Sequence, residues 1–110
     1  MSRFLSPAWF AENATTRPAG DAELTIQQRV LGSPEGDVAF VLRVWDTAVS
    51  IEQGSDAHPD VTLTEDYETA LAIHEGRLSA AAAFAAGRVQ VSGAVARLLE
   101  HIAALDNARA

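Results

Sequence analysis

At 110 residues with a formal net charge of −7, the chain is long enough for one hydrophobic core and too short for two. Its eight cationic residues are all arginine, scattered from Arg3 to Arg109, and no lysine is present. This argues against a basic groove for nucleic acid and against a cationic stripe for anionic lipid surfaces. Absence of cysteine rules out disulfides, thiolate metal sites and cysteine nucleophiles, so packing alone must stabilise the fold.

Ser6 and Pro7 predict a short helix with Ser6 as N-cap and Pro7 at the first helical position, where a missing N–H costs nothing. Leu5 and Phe10 have the spacing of a hydrophobic staple across that cap. Pro18 is expected to end this helical N-terminal segment, residues 1–20, by disfavouring helix at Arg17. From Glu23 the period becomes two: Leu24, Ile26, Gln28 and Val30 share one face, while Thr25, Gln27 and Arg29 share the other. A turn over "GSPEG" leads to "DVAFVLRVW", with Val38, Phe40, Leu42 and Val44 on one face and Ala39, Val41, Arg43 and Trp45 opposite. "AVSIEQG" gives a third strand with Val49 and Ile51 inward, completing an antiparallel meander. "SDAHP" is a loop, and "DVTLT" a fourth strand through Val61 and Leu63.

The period then turns helical. Thr64 is expected as N-cap, with Glu65, Asp66 and Glu68 in the first turns, where the helix dipole favours negative charge. Tyr67, Ala70, Leu71 and His74 fall on one face, and Gly76 supplies a left-handed stop. A second short helix runs from its cap Ser79 through "AAAAFAA" to Gly87. "RVQVS" alternates as a fifth strand, Gly93 bends the chain, and Val95, Leu98, Leu99, Ile102 and Leu105 follow the spacing of an amphipathic final helix. Strands that come first and helices that cluster later define an α+β class: a five-stranded, mostly antiparallel mixed sheet covered on one face by helices. A single domain spans 1–110, with its core over 23–108.

Catalytic signatures are sparse. His58, His74 and His101 lack a partner at metal-ligand spacing, so no metal is expected, and no cofactor motif is present. Ser79 and Ser92 read as caps rather than nucleophiles, and no G-x-S-x-G elbow occurs. Tyr67 next to Asp66 or Glu68 does not make an acid–base pair, because neighbouring helical residues point in different directions. His74 reads as a half-buried polar group with a neighbour to bond, or as a contact for a bound headgroup.

The stretch "DVTLTEDYETALAIHEGRLSAAAAFAAGRVQVSGAVARLLEH" resembles the sterol carrier protein type-two family, through Gly76, Leu78, Phe84, Gly87, Arg88, Val89, Val91 and Gly93 in order after the strand meander. The likeness covers residues 60–101 well, and 23–54 agree in strand order and turn placement. It implies binding of a fatty acid, acyl-CoA or sterol in an apolar cavity between sheet and helices, without catalysis. Phe40, Leu42, Leu71, Leu78, Phe84, Val89, Val91, Val95, Leu98 and Ile102 would form the walls. The chain departs from eukaryotic members in ending "DNARA" rather than in a peroxisomal tripeptide. With no apolar run of signal-peptide or membrane-spanning length, it is expected to be cytoplasmic without stable membrane insertion, and its alanine-rich, lysine-free composition leads us to expect a bacterial source.

A lipid cavity of roughly 300 Å³ left empty would cost on the order of 24 cal/mol per Å³, about 7 kcal/mol in all, close to the whole stability of a small domain. A ligand must therefore fill it, or the helices close down over it, or a second copy in a homodimer supplies apolar surface. The alternative is the same fold used as an oligomerisation or interaction module that supports an enzyme partner.

Overall fold

A computed structural model describes residues 3–13, 20–45 and 48–101. Helix α1 (Pro7–Glu12) is followed by strands β1 (Leu24–Ser33), β2 (Gly36–Val44), β3 (Val49–Gln53) and β4 (Val61–Asp66). Helices α2 (Tyr67–His74) and α3 (Ala80–Ala85), strand β5 (Gln90–Gly93) and a helix α4 over residues 95–101 complete the described chain. The five strands form one sheet in the order β3-β2-β1-β4-β5. Pairings β1–β2, β2–β3 and β4–β5 are antiparallel and β1–β4 is parallel, so the sheet is mixed and mostly antiparallel.

Strand alternation decides which side is buried. Leu24, Ile26, Gln28 and Val30 of β1 have no exposed surface, and their β2 partners Val44, Leu42, Phe40 and Val38 are buried opposite them. Val61 and Leu63 extend this face onto β4, while Val49 and Ile51 on β3 and Val91 on β5 pack against it from the two edges. Phe4, Leu5 and Phe10 from the N-terminal segment, Ala70 from α2 and Leu98 from α4 bury against the same side. The turn between β1 and β2 contracts to Pro34 and Glu35, because Ser33 and Gly36 already pair.

The connection from β3 to β4 must pass β2 and β1, and it does so over the face turned away from the core. Gln27 anchors it: the side-chain amide donates to the Gly54 carbonyl at 3.2 Å, and its oxygen accepts the Asp56 N–H at 2.9 Å. Arg43, from the same face of β2, pairs with Glu52 at 2.9 Å and Asp56 at 2.7 Å. The Arg43 side chain is only 16% exposed.

Start and stop signals act largely where the sequence places them. The Ser6 hydroxyl accepts the Trp9 N–H at 3.2 Å, and the Ser79 hydroxyl accepts the Ala82 N–H at 3.0 Å. Helices α2 and α3 end in the same way. Gly76 at φ +78° and Gly87 at +74° each turn the chain left-handed. The following Arg77 and Arg88 N–H groups then donate back to Ala72 and Ala83.

Two expectations are corrected. The N-cap of α2 is Asp66, whose carboxylate accepts the Thr69 N–H at 2.7 Å, and not Thr64. Parallel pairing with β1 continues as far as Leu31 and Asp66, which holds residues 64 and 65 in the strand. Leu99 is 49% exposed, whereas Leu98 is buried. Successive helical residues are about 100° apart, so a helix that meets the sheet through Leu98 turns Leu99 outward. Ile102, Leu105 and the expected helix end at Pro18 lie outside the described residues.

Candidate functional site: the roofed apolar face

The apolar face is continuous across all five strands, and its roof is aromatic near the N-terminus. Phe4 stacks on the His74 ring at 4.2 Å with the planes 10° apart, and meets Trp9 edge-on at 5.0 Å. Phe10 packs on Phe40 of the sheet, ring centroids 5.6 Å apart. The N-terminal segment is thus docked both to α2 and to the sheet. His74 takes the first of its two sequence readings at least in part: it is half-buried, with aromatic rings as neighbours.

The residues expected as cavity walls fall into three groups. Phe40, Leu42 and Leu98 are buried inside the core cluster. Leu71, Val89 and Val91 are half-buried and packed against it. Leu78, Phe84 and Val95 are half-buried but stand outside that cluster, on the α2–α3 connection, α3 and the start of α4. Ile102 lies beyond the described residues.

Two polar residues on the apolar face were not recognised from sequence as part of the site. Gln28 is fully buried, and neither its amide nitrogen nor its oxygen has a hydrogen-bond partner among the described residues. It lies in register with Phe40 on β2 and Leu63 on β4. Glu65, expected in a helical first turn, is instead a strand residue, 3% exposed, in register with Val30. The signal for both was strand parity: Gln28 continues the series from Leu24 and Ile26, and Glu65 the series from Val61 and Leu63.

Asp60 fixes the edge of the site. Its carboxylate accepts the Thr25 N–H at 2.8 Å and pairs with Arg97 at 3.1 Å, while its carbonyl accepts the Ala94 N–H at 2.9 Å. Arg97 also donates to the Glu23 carbonyl. These bonds tie β1, the start of β4 and the start of α4 together, placing Leu98 against the sheet.

An open groove of about 460 Å³ lies on the other side of the sheet, between Gln27, Arg29, Thr62 and the loop residues Asp56 and Pro59. Its Asp56 carboxyl is held below the usual carboxylate range by the His58 N–H that it accepts, and secondarily by Arg43. Its mixed lining, in which Ala39 and Pro59 stand beside polar and charged side chains, separates this groove in character from the core face. Among the described residues no three His, Asp or Glu side chains gather into a metal site. No helix of these residues is long and apolar enough to cross a membrane.

The fold is α+β, with one face of a mixed five-stranded sheet under helices, an apolar interior and a half-buried apolar rim. The profile of the SCP-2 sterol transfer family matches residues 18–106, and the chain belongs to that family. No curated protein matches it by sequence. Among solved structures it is similar to sterol carrier protein 2 like 2 from Aedes aegypti, at 24% identity and a TM-score of 0.59, over 84% of this chain and 85% of that one. The palmitated form of the Aedes aegypti protein gives 27% identity and a TM-score of 0.58, over 76% and 77% of the two chains. A Thermus thermophilus protein described as possibly a sterol carrier protein gives 22% identity and 0.59, over 83% and 69%.

Proposed function

We propose that this protein is a non-catalytic, cytoplasmic carrier of an apolar small molecule, a fatty acid, acyl-CoA or sterol, held between the sheet and its helical roof. The observation that carries this reading is the continuous apolar face roofed by α1, α2 and α4, flanked by the half-buried Leu71, Val89 and Val91. Family membership and the palmitated state of a similar structure support it. Phe40, Leu42 and Leu98 have almost no exposure, so the conformation described is closed. Ligand entry then requires the roof to move, and an acyl chain replaces side-chain contacts with its own. This is the second of the three ways to avoid the cost of an empty cavity.

The test uses the two tryptophans as reporters. Trp9 packs against the core cluster, whereas Trp45 lies beyond β2 on the opposite parity and donates its indole N–H to the Gly20 carbonyl at 3.3 Å. Titrating palmitate into the Trp45→Phe variant should give a saturable change in Trp9 emission, while Trp9→Phe protein should stay nearly silent. Native mass spectra of protein taken from cells should carry lipid-mass adducts. Adduct-free spectra, together with no response of Trp9 to palmitate or to a long-chain alcohol, would refute the carrier reading in favour of the interaction module.

A further inference from the structure

Gln28 shares the apolar face with the buried Glu65 of β4, and its nearest strand neighbours are otherwise apolar. It sits at the centre of β1, the middle strand of the five, with Ile26 and Val30 before and after it on the same face. Phe40 and Leu63 flank it in register. Burial of a primary amide is normally accompanied by hydrogen bonds to both ends, and here both ends lack them among the described residues. The neighbouring Gln27 shows what the usual arrangement looks like: its amide nitrogen reaches the Phe40 and Gly54 carbonyls, and its oxygen takes the Asp56 N–H.

We propose that Gln28 is the specificity-determining contact of the carrier site and selects apolar molecules that bear a hydroxyl group. This deepens the carrier reading and rests on it. A primary amide presents one acceptor and two donors, so its complement must both donate and accept. A hydroxyl does both. An ether or ester oxygen only accepts, leaving the Gln28 carbonyl oxygen unbonded. An ionised carboxylate likewise only accepts, and brings a charge into the apolar interior. A hydroxyl delivered on an apolar body satisfies both ends of the amide without introducing a charge. Sites built around a buried polar group discriminate strongly against analogues that leave it unpaired.

The experiment compares two isomers, 1-undecanol and decyl methyl ether, by calorimetric titration of the full chain and of Gln28→Met. Forming the ratio of the two dissociation constants within each protein, then comparing proteins, cancels the different hydration of the two ligands. The preference for the alcohol should be about tenfold greater in wild type than in Gln28→Met, the loss expected when one buried polar partner goes unpaired. A parallel pair, 1-adamantanol and its methyl ether, separates acceptance of a chain from acceptance of a ring. A tenfold shift in either pair supports the assignment. Gln28→Leu serves as a second variant should the methionine protein fail to fold. Binding of both isomers, with ratios in wild type and variant equal within twofold for every pair, would overturn the role of Gln28 and leave the carrier reading standing. Failure of wild type to bind any of the four compounds, or palmitate, would overturn both.

Discussion

Gly93 is the position at which the fold tolerates a side chain least, and its replacement by alanine can be worked out from local geometry. It ends β5 at φ +102° and pairs with Val61. A Cβ built there would stand 2.5 Å from the Asp60 carbonyl oxygen and 3.1 Å from the Val61 Cα, both backbone atoms held in place by β1 and β4. Gly76 and Gly87 also have positive φ, but a Cβ on either meets nothing within 4 Å. Their alanine variants isolate the dihedral cost, about 1 kcal/mol. At Gly93 the clash adds to this. The edge strand must move off β4, and the Ala94 N–H bond to Asp60 weakens, itself worth about 1 kcal/mol. Together the loss is about 2–4 kcal/mol. For a domain of this size about 1 kcal/mol corresponds to roughly 4 °C in Tm. Thermal denaturation followed by circular dichroism should therefore show Gly93→Ala falling by about 8–16 °C. Gly76→Ala and Gly87→Ala should fall by about 4 °C each. If Gly93→Ala melts within about 2 °C of the other two, the close approach of β5 to Asp60 is not what requires glycine there.

Asp66→Ala should cost about 1 kcal/mol by leaving the Thr69 N–H uncapped, and Asp66→Asn much less, as read from urea denaturation at pH 7. The Thr69 N–H bond holds the Asp66 carboxyl below the usual carboxylate range. The cap's ionic contribution is therefore complete above the unfolded value and lost as pH falls through the lower folded one. Asp66→Asn should flatten the wild-type stability profile at that acid end. Gln28→Met should raise the Tm of ligand-free protein, because an amide without partners among the described residues is exchanged for an apolar side chain of similar volume.

Much of this architecture can be read from alternation and capping residues. The inward sets on β1 and β2, the caps Ser6 and Ser79, and the stops Gly76 and Gly87 follow from local chemistry, and the structure places them accordingly. Where a strand hands over to a helix, local signals conflict. Thr64, Glu65 and Asp66 all suit a helix start, and only pairing with β1, a partner more than thirty residues distant, keeps Glu65 in β4. The site is less legible for a related reason. Period locates a face but not its roof, so the role of Phe4 and Phe10 in covering Phe40 emerges only when the N-terminal segment is placed against the sheet. Gln28 was on the right face from the start. Its importance depends on the absence of a partner among the described residues in three dimensions, which no spacing rule encodes.

On the proposed carrier reading the closed core is also the binding site, which couples stability to affinity, and the two can be separated by depth. Leu98 is 2% exposed and belongs to the core cluster. Leu98→Ala should cost about 2–5 kcal/mol, as buried leucine truncations do, and Leu98→Glu should both unfold the domain and abolish binding. Phe84 is the one large side chain of α3, half-buried and outside that cluster, with fewer native contacts to lose. Phe84→Ala should therefore reduce Tm by less than Leu98→Ala while weakening palmitate binding severalfold, measured in the same Trp9 titration. Equal losses of stability from the two substitutions would place Phe84 within the core proper. Unchanged palmitate affinity in a stable Phe84→Ala protein would remove α3 from the ligand's path, leaving the roof formed by α1, α2 and α4 as the part that must open.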